Sequence, residues 1–128
     1  MKVFFKGNAL YTKLKVSSTI SDWTREYDSL VDTGAFNTTI PRDEIIPQTE
    51  NDVQNLLYLG SHHATGIGFN GYLDTFEANI LVGEEDEYKE TMIIAGPNRQ
   101  FLLGREIISQ YKWEIDWKIQ KVIAILNQ

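Results

Sequence analysis

Between Leu10 and Val16 every second residue is apolar or a small hydroxyl (Leu10, Thr12, Leu14, Val16), with Tyr11, Lys13 and Lys15 between them. A period of two turns one face of an extended chain inward and the other toward water, so this segment reads as a strand. The pattern returns at Phe76, Ala78, Ile80 and Val82, alternating with Thr75, Glu77, Asn79 and Leu81. It appears again at Ile115, Trp117 and Ile119, then resumes at Ile123 and Ile125 after Gln120-Lys121, as a β-hairpin would. Tyr27 to Asp32, Leu56 to Leu59 and Thr91 to Ala95 are further β-prone runs, with the acidic turn Glu84 to Glu87 leading into the last. Helical spacing is best at Arg105 to Lys112, where Ile107, Ile108 and Tyr111 share one stripe. A single turn of helix over Arg42 to Ile46 would be ended by Pro47. The chain therefore reads as mostly β with one or two short helices.

The prolines are scattered at 41, 47 and 97, and nothing marks a linker or a composition shift, so residues 1–128 read as one domain. With 42% apolar and 23% charged residues the chain has the material for a packed core. Its 12 basic and 18 acidic side chains give a formal net charge of −6, and no Lys/Arg run offers a phosphate backbone a footprint, so nucleic acid is not expected as a partner. The absence of cysteine removes disulfides, thiolate nucleophiles and thiolate metal sites together, and fits a reducing compartment. No apolar stretch approaches the ~20 residues that cross a bilayer, and Met1 to Lys6 lacks the apolar run of a secretory signal. No membrane partner and a cytoplasmic location are the expectation.

The chemistry-bearing stretch is Ser29-Leu30-Val31-Asp32-Thr33-Gly34-Ala35. A carboxylate stands at the end of an apolar strand, and the small Thr and Gly that come next turn the chain sharply where the acid emerges. Burying an unpaired charge costs several kcal/mol, so Asp32 must be neutralised, paired, or set on a wet cleft floor. The bland alternative is an ordinary strand-end turn stabilised by nearby backbone N–H groups.

Asp32-Thr33-Gly34 does not stand alone. The run Leu30-Val31-Asp32-Thr33-Gly34-Ala35-Phe36-Asn37-Thr38, then Leu102-Leu103-Gly104-Arg105 about 70 residues later, with Thr65-Gly66-Ile67-Gly68-Phe69-Asn70-Gly71 between, resembles the retropepsin-like aspartic proteases. That family has an Asp-Thr/Ser-Gly after two apolar residues, a glycine-rich hairpin flap, and two apolar residues followed by Gly and often Arg at the start of a helix. The three elements occur in the family's order, and the similarity runs from about Leu10 to the C-terminus. It implies a closed acid-protease barrel with one short helix in the C-terminal half and a flap from about Leu57 to Ile80.

It also implies an activity and a partner. Aspartic proteolysis needs two carboxylates within hydrogen-bonding distance, which hold one proton between them because like charges that close do not both ionise. One acts as general base on water while the other, protonated, polarises the scissile carbonyl. With a single Asp-Thr-Gly, the chain must supply the second carboxylate as a homodimer, and two-fold dimers are the commonest oligomers. The resemblance assigns Asp32, Thr33 and Gly34 to the catalytic loop. Thr33 would bond across the two-fold axis, and Gly34 would allow close backbone approach. Ala35, Phe36, Gly66, Ile67, Gly68 and Phe69 would meet an extended peptide or protein substrate, with Ile67 and Phe69 favouring bulky apolar side chains. Leu103, Gly104 and Arg105 would support the loop, and Trp117 to Leu126 would join the dimer interface. Because Ala35 cannot donate to the carboxylate as a Ser would, the activity optimum is expected to be less acidic than in relatives with Ser there. The sequence departs from the family at Phe36, where an acid or Ser is common and pairs with the Arg; Asp28, Asp43 and Glu106 are then alternative partners of Arg105.

Other patterns read more plainly. Gly66-Ile67-Gly68-Phe69-Asn70-Gly71 matches the dinucleotide fingerprint G-x-G-x-x-G, but that motif needs a following helix, and Tyr72 to Phe76 alternates as a strand. His62-His63 lies in a segment expected to be loop, with no third ligand nearby, so neither metal nor cofactor is expected. Asn37-Thr38-Thr39 is a formal glycosylation sequon without a secretory signal, and its threonines read as packing behind the loop. Trp23, Trp113 and Trp117 are expected in the core or a dimer interface. The reading from another class is a catalytically inactive module with the same fold that dimerises or binds peptides.

Overall fold

The computed structural model describes residues 1–45, 55–66, 69–97 and 99–127. Ten strands and two short helices make up the described chain: β1 (Phe4–Lys6), β2 (Ala9–Ser18), β3 (Thr24–Val31), β4 (Thr39–Pro41), α1 (Arg42–Ile45), β5 (Leu57–Gly66), β6 (Phe69–Val82), β7 (Asp86–Gly96), β8 (Leu102–Leu103), α2 (Arg105–Ile108), β9 (Tyr111–Asp116) and β10 (Lys121–Leu126). The mostly β expectation holds, and both helices fall where helical spacing occurs. No helix among the described residues is long and apolar enough to cross a membrane.

Eight strands form one sheet in the order β1-β2-β3-β8-β4-β7-β6-β5, and β2 also pairs with β6, so the pairings from β2 round to β6 close a ring. Alternation decides which face lines the interior. Thr12, Leu14 and Val16 of β2 and Ala78, Ile80 and Val82 of β6 are all buried, joined by Ile40, Ile93, Leu103 and Ile107. Where both strands pair, Leu14 lies opposite Val82 and Val16 opposite Ile80, so one period-two pattern docks on another.

Two parallel contacts set where the Asp32 loop emerges. β3 runs parallel to β8, with Leu30 beside Leu102 and Val31 beside Leu103. β4 runs parallel to β7, with Thr39 beside Ile94. Parallel neighbours must come from distant sequence, and here they bring the chain ends after Val31 and Leu103 out of the sheet side by side.

Several boundaries differ from the sequence expectation. α2 ends at Ile108, not Lys112: Ser109 and Gln110 turn, and Tyr111 begins β9 opposite Leu126. The apolar stripe misleads because Ile107, Ile108 and Tyr111 are all buried, two by a helix and one by a strand. The glycine-containing segment expected as loop is mostly strand, since β5 and β6 stay paired from Leu57/Glu77 to Gly66/Phe69 and bring His62 and His63 into the ladder. Trp23 and Trp113 are partly buried against the core, whereas Trp117 is exposed, its ring edge-on to Phe5 at 5.5 Å. The β9–β10 hairpin is tied down at Tyr111, whose hydroxyl donates to Asp86 at 2.6 Å and accepts from Tyr88 at 3.0 Å. Burial first, then the Asp86 bond, pushes its phenol well above the ordinary tyrosine value.

Candidate functional site

Asp32 is the first residue beyond β3, and Gly104 the first beyond β8, so the parallel pair delivers the acid and the glycine to the same end of the sheet. The backbone then binds the two segments together. Asp32 N donates to Leu103 O at 3.2 Å and Leu30 N to Phe101 O at 2.8 Å. The opening N–H groups of α2, which have no partners inside the helix, find them in the loop: Arg105 N donates to Ala35 O at 2.8 Å and Glu106 N to Phe36 O at 3.1 Å.

The loop turns tightly on its own acid. Gly34 N donates to Asp32 Oδ1 at 2.8 Å and Ala35 N to Asp32 O at 3.2 Å. A Cβ on Gly34 would press on that carboxylate oxygen at 3.1 Å, so glycine permits the short bond. Asp32 is half-buried, while Thr33 and Gly34 are exposed at the tip, and among the described residues the Thr33 hydroxyl has no partner.

Behind the tip lies a lock that the sequence does not reveal. Thr38, fully buried, donates from its N–H to Glu106 Oε1 at 2.8 Å and from its hydroxyl to the same oxygen at 2.5 Å. Its hydroxyl oxygen accepts from Gly104 N at 3.2 Å, and its carbonyl accepts from Ile94 N at 3.0 Å. Glu106 Oε2 is buried without a hydrogen-bond partner, packed against Gly104. A Cβ on Gly104 would lie 2.6 Å from Thr38 N and closer still to the Asn37 backbone and Glu106 Oε2, so glycine is the residue that fits. The signal in the sequence is a Thr four residues after Gly34 and an acid two after Gly104, with nothing to pair them.

Arg105 has none of its three candidate partners in an ion pair. Its guanidinium lies over the Phe36 ring, 5.4 Å from the centroid. Asp28 is instead 3.4 Å from Lys6 Nζ, and Glu106 is engaged by Thr38. Where an acid would have made a salt bridge, the chain holds its arginine by cation–π contact.

Beside Asp32 opens a cavity of about 550 Å³. Asp32, Gly34, Ala35 and Phe36 form one side, Met92, Ile94 and Leu102 an apolar wall, and His62, His63, Leu73 and Thr75 of the β5–β6 hairpin the other side. The cavity therefore brings Ala35 and Phe36 together with Asp32 and Gly34, while Thr33 does not line it. Gly66 and Phe69 are paired at the far end of the hairpin, and Ile67 and Gly68 lie outside the described residues. β6 runs as strand to Val82, so the hairpin glycines lead into a strand, not a helix. His63 Nε2 is 2.8 Å from Asn70 Oδ1, and its ring meets Tyr72 edge-on at 5.4 Å. No group of three or more metal-ligating side chains occurs among the described residues.

No protein-family model matches this chain, and neither the curated proteins nor the solved structures include a match to it.

Proposed function

We propose that the chain is an aspartic endopeptidase of retropepsin type, with a closed barrel fold, whose dyad forms when two copies bring their Asp32 carboxylates together across a two-fold axis. The observation that carries this reading is the setting of Asp32. A half-buried carboxylate stands at the carboxyl end of a parallel strand pair, held by the Gly34 N–H, beside an exposed Thr33-Gly34 tip and a cavity large enough for substrate side chains. An ordinary strand-end turn needs neither the cavity nor the second segment braced behind it.

In the dimer, the ionised member of the pair takes a proton from water as the water oxygen attacks the scissile carbonyl carbon, and the protonated member donates to the carbonyl oxygen. The first carboxyl then passes the proton it took to the amide nitrogen, a hydroxyl of the tetrahedral intermediate returns a proton to the second, and the C–N bond breaks to release amine and acid. Thr33, exposed and without a partner among the described residues, is available to bond across the axis. The outward face of β10 supports association: Ile123 and Ile125 are 53% and 61% exposed there. The β5–β6 hairpin serves as the flap over an extended substrate, which adds strand-like hydrogen bonds.

Purified protein and Asp32→Asn are compared on a mixed peptide library, with sedimentation at micromolar concentration alongside. Cleavage by the wild type that falls about 10³-fold in the variant is expected, together with a dimer, and with a pH–rate maximum away from strongly acid pH because Ala35 offers no hydroxyl to the carboxylate. Equal or absent cleavage by both proteins would abandon the enzyme in favour of the inactive peptide-binding module, for which Phe36 in place of an acid is the favouring observation. A strict monomer leaves no assembled dyad.

A further inference from the structure

The cavity beside Asp32 is mainly apolar, yet imidazole borders it. In the β5–β6 ladder His62 lies opposite Leu73, and Gly60 opposite Thr75. Cross-strand partners share a face, and Leu73 and Thr75 both line the cavity, so His62 is on the groove face of the hairpin. His63 also borders the cavity, but it is paired with Tyr72 in the ladder and its Nε2 is already bonded to Asn70. His62 is exposed and, among the described residues, has neither a hydrogen-bond partner nor an ion pair. Among the described residues, the charged or titratable groups bordering the cavity are Asp32 on the loop and His62 and His63 on β5; the described lining residues from β6, β7 and the segment leading to β8 are uncharged.

A groove of this composition discriminates among side chains by what it can pair. Apolar walls accept any aliphatic group, but a substrate carboxylate leaving water there needs a donor or a positive charge beside it. His62 is the group placed to supply one, and in its charged form it repels lysine and arginine. We propose that His62 is a specificity-determining residue that selects peptides carrying an Asp or Glu side chain at the subsite it borders. This inference rests on the protease reading for its setting. The selection belongs to the charged imidazolium, which both donates hydrogen bonds and attracts a carboxylate; a neutral ring offers at most one donor.

The test uses peptide pairs differing only by Glu against Gln, scanned through each position around the cleaved bond, at pH 5.5 and pH 8. Wild type is expected to prefer Glu at one position by about fivefold at pH 5.5, on the scale of a partly exposed charged pair, and by less at pH 8. In His62→Gln the ratio is near one at both pH values. A wild-type ratio near one at pH 5.5, or a preference that survives His62→Gln, overturns the proposal. Binding of the same labelled peptides to Asp32→Asn, with and without His62→Gln, separates this inference from the protease reading. If wild type cleaves nothing but the Glu preference appears in binding and depends on His62, the selectivity stands and the enzyme does not. If no peptide binds at either pH, both fall.

Discussion

The two sides of the cavity are built differently. The loop from Asp32 to Thr39 is bonded mostly to segments far away in sequence: Leu103, Gly104, Arg105 and Glu106 each make at least one hydrogen bond to it, and Ile94 adds another. The outer half of the hairpin facing it, residues 60–74, is bonded mostly to itself, whereas the inner half of β6 is laddered to β7 and β2. Among the described residues the hairpin's side-chain bonds include His63 to Asn70, Tyr58 and Ser61 to Asp74, and Thr75 to the Gly60 carbonyl, with the 3.8 Å approach of Arg42 to Asp74 reaching outside. A group that must present a carboxylate in fixed geometry gains from bonds already made before substrate arrives. A group that must admit a peptide and then cover it gains from having few. The contrast predicts that substitutions on the loop side act through stability and activity together, whereas those on the outer half of the hairpin act on activity with little change in stability.

The largest effect is expected at Gly104. A methyl group there collides with the Asn37 and Thr38 backbone, which cannot rotate away as a side chain could. Gly104→Ala should therefore lower stability by about 3 kcal/mol, at the upper end for overpacking, and abolish proteolysis, as read by urea unfolding and the peptide assay. A change under about 1 kcal/mol would mean the two segments are not clamped as tightly as the bonding suggests.

Next comes the Thr38–Glu106 lock. Glu106→Ala leaves the Thr38 N–H and hydroxyl without their acceptor in a buried site, which costs about 2 kcal/mol. Glu106→Gln keeps an acceptor oxygen and should lose about half as much. Equal losses in the two variants would show that packing, not hydrogen bonding, holds this side of the cavity.

These two elements mark how far the sequence is legible. The strands announce themselves because a period-two pattern is local, and Asp32 stands out because an acid closing an apolar run is costly. The parallel pairings of β3 with β8 and β4 with β7 leave no such trace, since their partners are about 50 to 70 residues apart and each contact is two or three residues long. Glu106 stays hidden for the same reason: its place beside Arg105 in sequence suggests an ion pair there, when its partner is Thr38 at the other end of the bond network. Arg105 suggests an acid partner because guanidinium usually seeks carboxylate, and the Phe36 ring takes that role instead. The expected helix overruns α2 because a buried tyrosine four residues after a buried isoleucine satisfies helical spacing even when it opens a strand.

The smallest expected stability effect is on the hairpin, and it sets the sharpest condition on the comparison. Asn70→Ala removes the hydrogen-bond partner of His63 on an exposed face, a diagonal cross-strand contact worth about 0.5 kcal/mol or less. No segment outside β5 and β6 contributes to that bond, so nothing beyond the hairpin relaxes when it is lost. Unfolding midpoints of Asn70→Ala and wild type should nearly coincide. Peptide cleavage should fall more than that small difference accounts for, because the far half of the hairpin then samples more arrangements over the cavity before one matches the substrate. A variant destabilised as much as Glu106→Ala would place the hairpin among the rigid parts of the molecule. Unchanged kcat/KM would remove its role in covering the substrate while leaving the Asp32 side intact.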